Sequence, residues 1–290
     1  FGNYRDHWWN YDFLELMATR WGLSRYRSIL DVGCGEFHWS KLLCQFMDRP
    51  ILIGIDSDPK WSSQSIEKIS GLVPAAESVA IHRGSAEDLR YDDNSFDVVT
   101  CQTVLIHLED PQAAIKEMKR VLKPGGILIC SEPNNVVGAL AISSMDDIAQ
   151  IERQISAVRS SLYEQYGKYV LGKGYNSIGD LVSLFFSQAG FDNIRTYYSD
   201  KALPLIPPYA TQDQKDTIAF IIDREKNDTG VVNDTEKNEY VEAAKEKLGD
   251  SFVQDDSSNF SDESDVADEI KKGIFFSPGM SMMYLVSAIK

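Results

Sequence analysis

Between Ile29 and Pro133 the chain changes rhythm repeatedly, as short runs rich in Val, Ile and Leu give way to stretches of helical spacing. That alternation predicts a parallel sheet covered by helices on both faces. The apolar runs predict strands at Ser28 to Val32, Ile51 to Ile55, Ser78 to His82, Phe96 to Gln102 and Gly126 to Ser131. Helical spacing predicts helices at His38 to Met47, Trp61 to Ile69 and Pro111 to Leu122. The last is bounded by chemistry at both ends. Asp110 can cap the first free amides, and Pro111 sits where a missing N–H costs nothing. Lys123-Pro124-Gly125-Gly126 then stops the helix and turns the chain into the next strand. Farther on, Ser177 and Asp180 read as a capping box opening an apolar helix that runs to Gly190. A strand at Asn193 to Tyr198 and a closing strand at Met280 to Ile289 follow. The expected fold is a doubly wound, Rossmann-like α/β domain on a seven-stranded, mostly parallel sheet.

Two stretches interrupt the rhythm. Asn134 to Asn176 is helical and rich in tyrosine, and is expected to form a lid insert over residues 134–176. Residues 200–273 form a second insert, acidic, before the closing strand; around Gln254 to Asp265 it becomes Ser/Asp-rich and is expected to be loosely ordered. The whole of 1–290 reads as one domain carrying these two inserts, without an internal repeat.

Composition narrows the class. With 290 residues, 43 % of them hydrophobic, the chain can bury a real core. No stretch approaches the roughly 18 to 20 consecutive apolar residues of a membrane span, so a soluble, cytoplasmic protein without membrane partners is expected. The sequence opens at Phe1 without an initiating Met, which leaves a preceding targeting segment open. A net charge of −15 disfavours nucleic acid as a partner. Much of the excess is local: Asp223 to Ile270 holds 16 acidic and 5 basic residues, a pattern that fits a solvated acidic surface. Cys34, Cys44, Cys101 and Cys130 show no CxxC spacing, and His7, His38, His82 and His107 stand far apart, so buried thiols and no metal site are expected.

The chemistry concentrates in Ile29-Leu30-Asp31-Val32-Gly33-Cys34-Gly35-Glu36, a buried strand followed by a glycine turn. Glycine permits positive φ there and lets a ligand approach the backbone. A dinucleotide site wants a third glycine for close helix packing beside a pyrophosphate, but the corresponding stretch is Glu36-Phe37-His38, which makes a pyrophosphate ligand less fitting. The next strand leads through Gly54-Ile55 to Asp56, a carboxylate at the sheet's carboxyl edge that can accept both ribose hydroxyl protons of an adenosine ligand.

These motifs, together and in order, resemble those of the class I S-adenosylmethionine-dependent methyltransferases. Leu30 to Gly35 is similar to the family's first motif, Gly54-Ile55-Asp56 to its ribose-binding acid, and Arg83-Gly84-Ser85-Ala86-Glu87-Asp88-Leu89 to its adenine loop. Phe96-Asp97-Val98-Val99 matches the fourth strand, and Val121 to Gly126 the turn before the fifth. The resemblance implies S-adenosylmethionine as cofactor and S-adenosylhomocysteine as product. It places Gly33 and Gly35 beneath the methionyl part, Asp31 near its amino group and Asp56 on the ribose. Ser57, Ser85, Ala86, Glu87 and Gln102 are the further cofactor contacts it implies. This sequence departs from the family at Ser85, where Asp is common, and at Phe37, where many members have glycine.

Cys101 to Leu108 follows the fourth strand, so its polar side chains should surface where methyl donor and acceptor meet. His107 is the expected base, and Glu132, just past the fifth strand, is similarly placed. Tyr4, Trp8, Trp9 and Tyr11 before the first strand, and Tyr163, Tyr166, Tyr169 and Tyr175 in the lid, read mostly as packing residues, although such rings can also line a pocket for a sulfonium. The expected function is methyl transfer to a small-molecule acceptor. Methylation of a protein or peptide, which would suit basic partners of the acidic insert, is the second expectation. A catalytically silent interaction module is the third.

Overall fold

The computed structural model describes residues 3–64, 66–146, 148–227, 234–253, 266–279 and 282–290. The Ser/Asp-rich run at 254–265 therefore lies outside the described residues, as do Met280 and Ser281 at the expected start of the last strand. The seven strands are β1 (Ser28–Val32), β2 (Ile51–Asp56), β3 (Ser78–Arg83), β4 (Phe96–Gln102), β5 (Leu122–Asn134), β6 (Asp192–Tyr198) and β7 (Met282–Ile289). They form one sheet in the order β3-β2-β1-β4-β5-β7-β6. β1 to β5 pair in parallel and β6 runs antiparallel to β7, which is the seven-stranded, Rossmann-like sheet that the apolar rhythm predicts.

Among the described residues the α-helices are α1 (Tyr11–Trp21), α2 (Ser40–Cys44), α3 (Pro59–Ser62), α4 (Ile66–Leu72), α5 (Pro111–Val121), α6 (Ile151–Val170), α7 (Gly179–Gln188), α8 (Gln212–Asn227), α9 (Asp234–Leu248) and α10 (Val266–Lys272). α5 begins as its sequence requires: the Asp110 carboxylate accepts from the Ala113 N–H at 2.9 Å, and Ala114, Ile115, Met118 and Val121 form its buried face.

Three helix boundaries differ from the periodicity. The stretch Trp61 to Ile69 is not one helix: Ser62 and Ser63 turn their hydroxyls back onto the Pro59 and Lys60 carbonyls, competing with helix propagation between α3 and α4. The stretch His38 to Met47 is α-helical only over Ser40–Cys44, and beyond it Phe46 and Met47 bond three residues back in tighter turns. Ser177 does not form a capping box with Asp180, because its hydroxyl accepts from the Val136 N–H at 3.2 Å and Ile178 is the residue preceding α7.

By contact density the chain divides into two compact units. The first holds Phe1–Trp8, Asn134–Ser177 and Lys201–Met282. Inside it α6 packs along α9, and Leu205, Tyr209, Ile270 and Phe275 form a separate small core with Ile218, Ile221 and Ile222 of α8. The second unit holds Trp9–Pro133, Ile178–Asp200 and Met283–Lys290, hence nearly the whole sheet. Its centre is Ile29, Leu30, Leu52, Val98, Val99 and Leu128, all fully buried. No described helix is long and apolar enough to cross a membrane.

Candidate active site

β1 and β4 are neighbours in the sheet although β2 and β3 lie on the far side of β1, so the strand order reverses between them. In open α/β sheets ligands bind at the carboxyl ends of the strands beside such a reversal. Here β1 ends in the glycine turn. The N–H groups of Gly33 and Cys34 both donate to the Ile55 carbonyl, at 2.7 and 3.2 Å, which fixes the turn to the end of β2. Gly33 has φ +68° and Gly35 +47°, values that glycine tolerates best. A Cβ on Gly33 would meet Val104 Cγ2 at 2.4 Å, so the segment after β4 closes tightly on the turn. A Cβ on Gly35 would find only the Trp61 ring at 4.0 Å, and its backbone stays open to a ligand.

Phe37 occupies the place of the family's third glycine and keeps its left-handed backbone, with φ +59°. Its ring is fully buried and, with Cys34 Sγ, fills the space beside Gly54, where a Cβ would come within 2.6 Å of the ring and 2.5 Å of the sulfur. The departure therefore preserves the turn and fills the space under it with an aromatic ring.

Two carboxylates flank the turn. Asp56, at the end of β2, accepts from the Gly35 N–H at 3.0 Å through Oδ2 and from the Asp58 N–H at 3.0 Å through Oδ1. Each oxygen keeps a second lone pair for a hydroxyl. Asp31 is buried in β1 and accepts from the Ser40 hydroxyl at 2.5 Å. Burial pushes its carboxyl up to about 7 and the Asp56 charge adds to the rise, while the bond from Ser40 pulls it down. Ser40 escapes sequence reasoning because it stands nine residues beyond its partner, outside any motif spacing.

The remaining expected contacts lie along the same edge. Ser57 is exposed beside Asp56. After β3 the chain turns at Ser85, whose hydroxyl accepts from the Glu87 N–H at 3.2 Å; Ala86 is buried, and Glu87 is exposed with its Oε1 3.4 Å from the Asp110 N–H. Gln102 closes β4, and its amide nitrogen is buried without a hydrogen-bond partner. His107 is exposed at the end of a short 3₁₀ turn, Leu105–His107.

Glu132 departs from expectation. It lies inside β5, which runs to Asn134, and it is fully buried. Its Oε1 accepts from the N–H groups of Val104 and Leu105 at 2.9 and 3.0 Å, so it holds the segment that packs on Gly33 and acts as a positioning residue. Burial lifts its carboxyl to about 7 against the pull of those backbone donors. On the same face the Cys101 and Cys130 sulfurs lie 3.3 Å apart, and all four cysteines are buried and unbridged. Of the aromatic residues, Trp9 packs on Trp39 with ring centroids 5.0 Å apart, and Tyr163 stacks on Phe252 at 4.4 Å, both as packing residues.

These residues fit S-adenosylmethionine. The open Gly35 backbone matches its methionyl part, the buried Asp31 carboxylate its ammonium, the free lone pairs of Asp56 its ribose hydroxyls, and the orphaned Gln102 amide a carboxylate. A pyrophosphate fits less well, since the turn lacks the third glycine that packs helix against strand in dinucleotide sites.

Comparison with known proteins agrees. Residues 30–130 match the family model described as a methyltransferase domain. An uncharacterized methyltransferase of Schizosaccharomyces pombe is 34 % identical over 112 residues, covering 36 % of this chain and 39 % of that protein. A demethylmenaquinone methyltransferase of Staphylococcus aureus is 34 % identical over 125 residues, covering 43 % of this chain and 48 % of that one. The chain thus spans less than half the length of these curated relatives. Among solved structures, a putative methyltransferase of Bacillus halodurans shares the fold over 96 % of this chain and 99 % of its own, with TM-score 0.52 at 18 % identity. The [4+2]-cyclase SpnF shares it over 97 % of this chain and 81 % of its own, with TM-score 0.52 at 17 % identity. Motifs, strand order and sequence match agree: residues 30–130 are similar to a methyltransferase domain, and the chain has the class I fold.

Proposed function

We propose that the chain is an S-adenosylmethionine-dependent methyltransferase acting on a small-molecule acceptor. The fold alone does not decide this, since a [4+2]-cyclase shares it. The observation that carries the reading is Asp31: a carboxylate buried at the foot of an open glycine turn, where its charge is poorly solvated, gains most from a cationic partner. The name of the Staphylococcus relative, which acts on demethylmenaquinone, supports a small acceptor.

When bound, S-adenosylmethionine supplies an electrophilic methyl on a sulfonium, which the acceptor's lone pair takes as the carbon–sulfur bond breaks. In this reading Gly33 and Gly35 expose backbone to the methionyl part, Asp31 holds the ammonium, and Asp56 with Ser57 holds the ribose. Ser85, Ala86 and Glu87 border the adenine, and the Gln102 amide meets the carboxylate. Glu132 keeps the Val104 segment against the turn. His107 removes the acceptor's proton as the new bond forms. In-line displacement depends mostly on holding nucleophile and methyl in near-attack geometry, so losing the base costs less than losing the cofactor's grip.

His107→Ala tests the base. Its kcat should fall about 100-fold, with S-adenosylmethionine affinity within about twofold of the parent. Unchanged turnover would remove His107 from the reaction.

A further inference from the structure

Gly35 is the open point of the glycine turn, and one side chain overlooks it. Apart from its chain neighbours, a Cβ placed there would have a single contact within 4 Å, Cε2 of Trp61 at 4.0 Å. Cε2 is a fusion carbon of the indole, bonded only to other ring atoms. Along the ring plane the flanking nitrogen or carbon would come nearer, so Gly35 looks onto the face of the ring. Trp61 is half-buried, and its position is fixed by the loop that leaves β2. Its N–H donates to the Asp58 carbonyl at 3.2 Å, while the Asp58 carboxylate accepts from the Lys60 N–H at 3.0 Å. The same loop fixes Asp56, whose oxygens accept from the N–H groups of Gly35 and Asp58. Glycine backbone, Asp56 carboxylate and indole therefore border the same space, all within the second compact unit. The ring already attracts a cation: Lys60 Nζ lies 4.5 Å from its centroid, with the Asp58 carboxylate 2.9 Å away to offset the charge.

Resting on the proposed function, in which Gly35 underlies the methionyl part and Asp56 holds the ribose, we infer that Trp61 contacts the cofactor's sulfonium and selects it over the neutral thioether of the product. The sulfur is the atom that joins the methionyl part to the ribose. A cofactor reaching from Gly35 to Asp56 therefore carries it past the indole. A cation over the face of a Trp ring is held by the ring's quadrupole, whereas a thioether gains only dispersion. Methyl transfer removes the positive charge from the sulfur, so this contact weakens as the product forms, and Trp61 acts at product release. The adenine suits the ring less. Ser85, Ala86 and Glu87, which border it in the proposed function, follow β3, on the far side of β2 from Gly35.

The test is calorimetric titration of the full chain, of Trp61→Leu and of Trp61→Phe, each with S-adenosylmethionine and with S-adenosylhomocysteine. In Trp61→Leu the ratio of the two affinities should fall about fivefold against S-adenosylmethionine. Trp61→Phe keeps a weaker aromatic face, and its ratio should fall about twofold. S-adenosylhomocysteine affinity should stay within about threefold of the parent's in both variants. Equal weakening of both ligands assigns the ring to the nucleoside and overturns the inference, and an unchanged ratio overturns it too. Either result leaves the methyltransferase reading standing. A parent that binds neither ligand overturns that reading instead, and the inference with it. Should the melting curve of Trp61→Leu show a lost fold, the ratio in Trp61→Phe decides.

Discussion

Asp31 and Glu132 are both fully buried carboxylates with raised pKa values, and they separate by what they face. Asp31 borders the glycine turn, and the proposed function couples its ionisation to the ammonium of S-adenosylmethionine. Below about pH 7 it holds a proton and cannot pair with the ammonium. S-adenosylmethionine affinity should therefore rise by up to tenfold per unit from about pH 5 to 7 and level off above, while Asp31→Asn should be weak and flat. Calorimetric titrations across that range check this, and a flat profile for the parent would refute the pairing. Glu132 couples to stability alone. Its folded pKa lies above the ordinary 4.5, so its contribution is full below that value and is lost as pH rises toward 7. Glu132→Gln keeps an oxygen for the Val104 and Leu105 N–H groups but does not titrate. Its stability relative to the parent should therefore climb with pH between about 5 and 7, read from urea melts; a constant difference would contradict the assignment. Sequence spacing was enough to nominate Asp31 and Asp56, since both sit at strand ends beside glycines. It was not enough for Glu132, whose role depends on how far β5 extends, nor for Ser40, which reaches Asp31 only through the path of the turn.

At the scale of elements, the strands other than β5 were legible almost to the residue because apolar runs bounded by Gly, Pro and Asp leave a buried strand few alternatives. The helices were less so, since hydroxyl side chains compete with the backbone where periodicity sees only polarity. Ser62 and Ser63 divide α3 from α4, and Ser177 is drawn to Val136 instead of capping α7. The predicted strand Gly126 to Ser131 lengthened to Leu122–Asn134 because Leu122 already pairs with Phe96, with a register shift accommodating the Pro-Gly-Gly turn. Phe37 shows two local forces opposed. Its left-handed backbone costs roughly 1 kcal/mol, whereas emptying a buried aromatic site costs about 3–5 kcal/mol. Phe37→Gly, which restores the family's residue, should therefore destabilise the protein by about 2–4 kcal/mol. A denaturant melt decides the sign, and a gain in stability would mean that backbone strain dominates at this turn.

The whole molecule carries a charge of −15 and should be weakened by its own repulsion, so raising salt from about 0.05 to 0.5 M should raise its melting temperature. A fall would mean that ion pairs such as Arg120 with Glu117 and Asp93 outweigh the repulsion. The fold, the glycine turn and the two carboxylates together make one central claim: the carboxyl edge of this sheet binds S-adenosylmethionine. Calorimetric titration of the full chain with S-adenosylmethionine, with NAD as control and Asp56→Ala alongside, tests it most directly. The account predicts binding of S-adenosylmethionine and not of NAD, with affinity lost at least 100-fold in Asp56→Ala, or about 2.7 kcal/mol. NAD binding in its place, or an Asp56→Ala variant that binds as the parent does, would contradict it.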